Sequence, residues 1–215
     1  MNLDSVQWIF FDMGSTLIDE TESYKGWFQN ASDAVGGALT PREIERVYLE
    51  GMANYTPTIT GQLKPYGYAA DSAAPLYPHA LERPYPQAKP LLTRLCEVYK
   101  LGVIANQSAG ATARLARYGL LSYFTFVLGS ADAGLCKPDP RIFQLALQKA
   151  GCAPREAVMI GDRPDNDIYP AKQLGIRTVR IRQGSAACQA PRSPAYEADV
   201  TVDSLSELDT VLIGK

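Results

Sequence analysis

The feature that most constrains the fold is an apolar stretch near the amino terminus that ends in a carboxylate. Residues 6–11 read VQWIFF, and Asp12 and a group of small residues follow them. A short apolar run that is bounded by a turn signal is typical of a strand buried on both faces. In open parallel sheets, ligands bind just beyond the carboxyl ends of the strands. We therefore predict that Asp12 acts as a nucleophile, a metal ligand or both, the alternative being that it caps the next turn.

Strand and helix patterns alternate from Pro86 to the end of the chain. The strand-like runs lie at 101–106, 124–128, 157–160, 178–181 and 199–202. This alternation is typical of a parallel sheet with helices on both faces. We therefore predict an α/β fold whose core is a doubly wound, Rossmann-like parallel sheet.

The span 19–83 has a different pattern, because it contains helical periodicity and no convincing strand. Aromatic and apolar residues recur at helical spacing over 21–36, and a second helix is predicted to run from Thr40 to about Asn54. We therefore predict a small helical cap at 19–83, inserted into a core formed by 1–18 and 84–215. The tyrosines of this region are expected mainly to pack the cap, with a minority facing a ligand.

Helix starts carry recognisable capping signals. The predicted N-caps are Thr40, Ser108, Asp139 and Ser204. A glutamate lies three residues after Thr40 and after Ser204, which predicts a capping box at each of these two starts. Prolines at the first helical position after Thr40 and Asp139 strengthen those two predictions.

Composition and charge argue against several classes of protein. The chain has 21 Lys plus Arg and 23 Asp plus Glu, which gives a formal net charge of -2. We expect neither nucleic acid nor an anionic membrane as a partner, because there is no basic excess and no polybasic cluster. The four cysteines form no C-x-x-C pair and the chain has one histidine, so we expect reduced thiols and no zinc site. No secretory signal is recognisable, and we expect a cytoplasmic protein.

Polar side chains recur where the predicted strands end. Asp12, Asn106, Asp162 and Asp167 follow strand-like runs, and Lys137 lies in a loop that can reach the same edge of the sheet. Hard oxygen ligands hold Mg²⁺, and a lysine neutralises phosphate oxygens. We therefore predict a magnesium and phosphate site here, the alternative being that each carboxylate only caps a helix.

Four motifs resemble those of the haloacid dehalogenase superfamily, in its phosphatase-like branch with a helical cap after the first strand. They are FFDMGSTL at 10–17, LGVIANQ at 101–107, GLCKPDP at 134–140 and IGDRPDND at 160–167. The resemblance implies a Mg²⁺-dependent phosphatase that acts on a small phosphorylated metabolite through an aspartyl-phosphate on Asp12.

The resemblance also assigns expected roles to individual residues. Asp12 is implied as the nucleophile and a magnesium ligand, with the carbonyl of Gly14 and the carboxylate of Asp162 as further ligands. Asp167 is implied to order the waters of the metal or the side chain of Lys137. The residues implied to bind phosphate are Met13, Asn106 and Lys137, and Lys137 also holds the nucleophile.

Two positions depart from the pattern of the family. Gly14 stands where the family usually has an aspartate that protonates the leaving group, and Ala105 stands where a serine or threonine usually binds phosphate. These departures predict a preference for aryl or acyl phosphates over alkyl phosphates, since the loss of a general acid typically costs about 10²–10⁴-fold in rate. They leave open the alternative of a binding or regulatory protein with little turnover. A dehalogenase needs no magnesium, so the intact motif from Asp162 to Asp167 disfavours one. The inserted span and the Gly161-Asp162 motif disfavour a response-regulator receiver.

Overall fold

The strands form one parallel sheet and a separate short pair. The computed structural model describes residues 2–55, 63–66 and 77–214. The strands are β1 Trp8–Phe11, β2 Ile18–Asp19, β3 Arg83–Pro84, β4 Lys100–Ala105, β5 Phe126–Gly129, β6 Ala157–Gly161, β7 Arg177–Ile181 and β8 Val200–Val202. Six of them form a parallel sheet in the order β5-β4-β1-β6-β7-β8. The predicted Rossmann-like α/β core is therefore confirmed.

The first strand lies at the centre of this sheet, where the strand order reverses. β1 pairs with β4 on one side and with β6 on the other, and Phe11 lies opposite both Val103 and Ile160. The backbone N–H of Asp12 donates to the carbonyl of Ile160 at 2.8 Å, which extends the β1–β6 pairing by one residue. Such a switch point is where open α/β sheets form their ligand crevice.

The strong burial of β1 explains its continuous apolar sequence. Ile9 and Phe11 belong to a core cluster on one face of the sheet, whereas Trp8 and Phe10 belong to a second cluster on the other face. Successive side chains of a strand point to opposite faces, so both faces demand apolar residues here. Two apolar layers therefore hold the strand that carries Asp12.

Helices cover the sheet and occupy the inserted span. They are α1 Thr21–Ala34, α2 Pro41–Ala53, α3 Ala88–Leu95, α4 Ala111–Arg117, α5 Ser130–Ala133, α6 Pro140–Ala150, α7 Tyr169–Gln173 and α8 Leu205–Leu212. A π-helical turn, Pro164–Ile168, precedes α7. In the part of the chain that the structure describes, no helix is long and apolar enough to cross a membrane.

Two of the four predicted N-caps form as expected. Thr40 and Glu43 make both bonds of a capping box at α2, and the Asp139 side chain accepts from the backbone N–H of Arg141 at 2.9 Å. Ser108 is not the N-cap of α4, because the chain enters this helix through Gly110 in a left-handed conformation with φ 92°.

The start predicted at Ser204 is correct, but its capping box is not formed. The hydroxyl of Ser204 donates to the Glu207 carboxylate at 3.3 Å and caps no backbone N–H. Glu207 instead accepts from the backbone N–H of Asp203 at 3.2 Å, one residue further back than the box requires. The last helix therefore begins at the expected place without the reciprocal bonds.

The inserted span connects to the sheet through an antiparallel pair that the sequence did not reveal. β2 pairs with β3, with Ile18 opposite Pro84 and Asp19 opposite Arg83. Each strand has only two residues, which is too short for a recognisable alternation. Between this pair, the described residues contain α1, α2 and short 3₁₀ turns. The division into a core and a cap stays a prediction. Tyr68, one of the tyrosines expected to pack the inserted span, lies outside the described residues.

Aromatic side chains pack the two helices of the inserted span against each other. Tyr24 and Trp27 of α1 lie with their ring centroids 5.3 and 5.8 Å from the ring of Tyr48 on α2. Phe28 is buried in the same cluster. The expected packing role of the tyrosines is therefore seen at Tyr48.

Candidate active site

Four of the predicted site residues converge beyond the carboxyl ends of β1 and β6. Asp12 follows β1, Asp162 and Asp167 follow β6, and Lys137 enters from the loop between α5 and α6. All four are strongly buried, with exposed fractions of 8% for Asp12, 5% for Asp162, 1% for Asp167 and 4% for Lys137. Charged groups are almost never buried without partners, and Lys137 is the partner of both Asp12 and Asp167.

Lys137 joins two of the carboxylates directly. Its Nζ lies 2.5 Å from Asp12 Oδ1 and 2.5 Å from Asp167 Oδ1. Burial disfavours the charged ammonium group, but the two carboxylates outweigh that effect and raise the pKa of Lys137 to about 12. The lysine is therefore a fixed positive charge beside Asp12.

The loop after β6 is shaped to bring Asp167 close to the strand. The backbone N–H of Arg163 donates to Asp167 Oδ2 at 3.0 Å across the π-helical turn. A Cβ atom at Gly161 would lie 2.4 Å from the Asp167 carboxyl group. Glycine at 161 therefore allows this carboxylate to reach Lys137.

The three carboxylates form a group that fits a divalent cation. One oxygen each from Asp12, Asp162 and Asp167 lies within 4.8 Å of the others. Burial, followed by the charges of Asp12 and Asp167, raises the pKa of Asp162 well above its usual range. Burial also raises the pKa of Asp167 to about 6, although Lys137 opposes the shift. A hard cation such as Mg²⁺ would neutralise this excess negative charge, and carboxylate oxygens are its usual protein ligands.

Asn106 is bonded to the main chain of Lys137. Its side-chain Nδ2 donates to the Lys137 carbonyl at 2.7 Å, and the Lys137 N–H donates to Asn106 Oδ1 at 2.7 Å. The amide thus positions the loop that carries the lysine, in addition to lining the cleft. The side chain of Met13 lies in the apolar core, so only its main chain can serve the phosphate role predicted for it.

The converging residues line a cleft with a volume of about 150 Å³ between the sheet edge and the inserted helices. Gly14 lines it together with the four charged residues and Asn106. The residues that the sequence reasoning missed include Ser15, Glu20, Tyr24, Tyr48, Met52, Arg163, Asn166 and Ser185. Arg163 and Asn166 lie within the motif at 160–167, which could have suggested them, whereas no local pattern distinguishes Glu20.

Glu20 is a carboxylate that lies in this cleft without a described cation partner. Ser15 Oγ donates to its Oε2 at 3.0 Å, and Tyr77 Oη donates to its Oε1 at 3.1 Å. Withdrawal from solvent, followed by the charge of Asp12, raises the pKa of Glu20 to about 7. Glu20 is therefore a further carboxyl group in the cleft, in addition to Asp12, Asp162 and Asp167.

Comparison with known proteins relates this geometry to one family. The sequence profile described as haloacid dehalogenase-like hydrolase matches residues 9–181. The chain is 30% identical to a glyceraldehyde 3-phosphate phosphatase of Methanothermobacter thermautotrophicus, over 95% of this chain and 98% of that protein. It is 38% identical to a protein of the same name from Methanopyrus kandleri, over 59% of this chain and 55% of that protein.

A solved structure has the same fold over nearly its whole length. This is the HAD-hydrolase YfnB of Bacillus subtilis bound to magnesium, with a TM-score of 0.73 and 20% identity, over 97% of this chain and 99% of that chain. The superfamily expected from the four motifs is confirmed by the profile match and the full-length relative. The chain is therefore an enzyme of the haloacid dehalogenase-like hydrolase family.

Proposed function

We propose that this enzyme is a Mg²⁺-dependent phosphatase of a small phosphorylated metabolite and that it acts through an aspartyl-phosphate on Asp12. The observation that carries the proposal is the buried pairing of Asp12 with Lys137, beside a group of three carboxylates. A nucleophile, a fixed cation and a metal site within one cleft are what displacement at phosphorus requires.

The side chains of this chain divide the work of the reaction. One carboxylate oxygen of Asp12 attacks phosphorus while Lys137 neutralises oxygens of the transferred group. Asp12, Asp162 and the Gly14 carbonyl would hold Mg²⁺, and Asp167 orients Lys137 through its 2.5 Å ion pair. When bound, Mg²⁺ offsets the repulsion between the anionic nucleophile and the anionic substrate.

The inserted helices supply the other wall of the cleft. Tyr24, Tyr48 and Met52 of α1 and α2 line it opposite the sheet edge. We propose that 19–83 acts as a cap and that these side chains contact the part of the substrate beyond the phosphate. The names of the relatives make triose phosphates the first class of substrate to test.

The test is release of inorganic phosphate from p-nitrophenyl phosphate and from glyceraldehyde 3-phosphate, with Mg²⁺ and with a chelator. Activity should require Mg²⁺ and fall to background in Asp12→Asn. The matched control is Asp4→Asn, since Asp4 is an exposed aspartate that precedes β1 and should not affect turnover. Mass spectrometry of the acid-quenched enzyme should locate phosphate on the peptide that contains Asp12.

The alternative of a binding or regulatory protein is favoured by the departures at Gly14 and Ala105. It predicts that Mg²⁺ and phosphate bind while no phosphate is released from either substrate. Retention of full activity by Asp12→Asn would instead contradict the proposed nucleophile.

A further inference from the structure

We propose that Glu20 serves as the general acid and base of the reaction, in place of the carboxyl group that position 14 lacks. This role rests on the proposed phosphatase function. It identifies a catalytic residue that lies outside the motifs, six positions after Gly14 and at the entrance to α1.

The position of the Glu20 carboxylate relative to Gly14 is the main observation. A Cβ atom built on Gly14 would lie 2.6 Å from Glu20 Oε2 and 2.8 Å from Glu20 Oε1. The carboxylate therefore fills the space in which a side chain at position 14 would begin. Gly14 does not have a positive φ angle, so the backbone conformation does not require a glycine here.

The contacts of Glu20 do not give it an ordinary structural role. It occupies the N-cap position of α1, yet its side chain makes no capping hydrogen bond. Among the residues that the structure describes, its side-chain partners are the hydroxyls of Ser15 and Tyr77, and no lysine or arginine forms an ion pair with it. Hydroxyl groups can both donate and accept, so they can hold this carboxyl group in its charged and its neutral form.

Glu20 also lies in the cleft that contains the candidate nucleophile. Asp12 and Lys137 line this cleft as well. A carboxyl group at this place can reach a leaving group that departs from phosphorus opposite Asp12.

The two steps balance with one proton passing through Glu20. In the first step an Asp12 oxygen bonds to phosphorus, the bond from phosphorus to the ester oxygen breaks, and neutral Glu20 gives its proton to that oxygen. In the second step a water oxygen attacks phosphorus, and the Glu20 carboxylate takes a proton from the water. The bond from phosphorus to Asp12 then breaks, which releases inorganic phosphate and restores both residues.

The experiment compares an alkyl phosphate, glycerol 3-phosphate, with p-nitrophenyl phosphate, whose leaving group needs little protonation. In Glu20→Gln, turnover of the alkyl phosphate should fall about 10²–10⁴-fold. With p-nitrophenyl phosphate, the same variant should show a burst of one equivalent of p-nitrophenol followed by slow turnover, because the second step has lost its base. Glu22→Gln is the matched control, since Glu22 is an exposed glutamate of the same helix.

A relocated carboxyl group keeps the test decisive if Glu20→Gln is poorly folded. In Gly14→Asp combined with Glu20→Ala, the new carboxyl group occupies the vacated space and should restore alkyl-phosphate turnover relative to Glu20→Ala alone. If Glu20 had only a structural role, Glu20→Gln would show no burst with p-nitrophenyl phosphate and would lower the turnover of both substrates by the same factor.

The outcomes separate this role from the proposed function. If the wild type turns over the alkyl phosphate and Glu20→Gln does so equally well, the role of Glu20 alone is overturned. The same follows if Gly14→Asp does not restore alkyl-phosphate turnover in the Glu20→Ala background. A wild-type enzyme that releases no phosphate from either substrate would overturn the proposed function and this role together.

Discussion

The carboxylate of Asp12 and the ammonium group of Lys137 form a buried ion pair at 2.5 Å, although 125 positions separate the two residues. Asp167 shares the same ammonium group at 2.5 Å. A lysine between two buried carboxylates is fixed in place and leaves a net negative charge around it. This ion pair lies at the site proposed for metal binding and catalysis.

Lys137→Ala should destabilise the enzyme as well as remove a phosphate contact. Without the ammonium group, Asp12 and Asp167 are buried carboxylates that repel each other. Loss of one partner of a buried ion pair typically costs about 3–5 kcal/mol, and we expect a decrease of that size in the free energy of unfolding at pH 7 without metal. Urea denaturation measures it, with the exposed Lys149→Ala as the control. A change below about 1 kcal/mol, the size typical of an exposed pair, would contradict this account.

Asp162→Asn should weaken Mg²⁺ binding. Because Asp162 contributes one of three carboxylates that lie within 4.8 Å of one another, its loss removes a ligand and a charge. Calorimetric titration should show an affinity lower by at least roughly tenfold, the effect seen even for outer-sphere partners of metals. Mg²⁺ should also raise the melting temperature of the wild type more than that of the variant. Asp4→Asn is again the control, and equal affinity in Asp162→Asn and the wild type would contradict the assignment.

Gly14→Ala should be destabilising because of its contact with Glu20. The added methyl group would displace the Glu20 carboxylate, the flexible end of its side chain, from its hydrogen bonds with Ser15 and Tyr77, and a lost hydrogen bond typically costs about 0.5–1.5 kcal/mol. A double-mutant cycle checks the cause, since Gly14→Ala should cost much less in the Glu20→Ala background. Equal costs in the two backgrounds would show that another contact limits position 14.

The effect of Glu20 on stability should depend on pH. Its pKa is about 7 in the fold, above the usual value of 4.5, so the folded state favours the protonated form. The contribution of protonated Glu20 to the free energy of unfolding is fully present below about pH 4.5 and is lost as the pH rises through about 7.

The corresponding measurement is the difference in unfolding free energy between Glu20→Gln and the wild type, in chelator. As the pH rises from about 4.5 to about 7, the unfolding free energy of Glu20→Gln should increase relative to that of the wild type, by at most about 1.4 kcal/mol per pH unit. Glu22→Gln should show no such trend. A difference between Glu20→Gln and the wild type that is constant from pH 4.5 to pH 8 would show that Glu20 titrates as it does in the unfolded chain.

Much of the fold could be predicted from the sequence because its signals are local. The apolar run before Asp12 reflects burial on both faces of a central strand, and the alternation after Pro86 reflects helices on both faces of a parallel sheet. The helix caps at Thr40 and Asp139 could also be predicted, since each depends on a few adjacent residues. The start of α4 could not be predicted in this way, because the left-handed conformation of Gly110 places the helix start after Gly110 and not after Ser108.

The motifs likewise predicted which charged residues meet. Asp12, Lys137, Asp162 and Asp167 follow strands or loops that end at the same edge of the sheet, so the topology alone brings them together. The contact of Glu20 with the space beside Gly14 depended on how the chain turns between β1 and α1 and on the packing of Tyr77 against it. No periodicity or motif encodes such a contact. Short-range patterns therefore determined the sheet and its charged edge, whereas only the tertiary structure placed the Glu20 carboxyl group in the cleft beside Gly14.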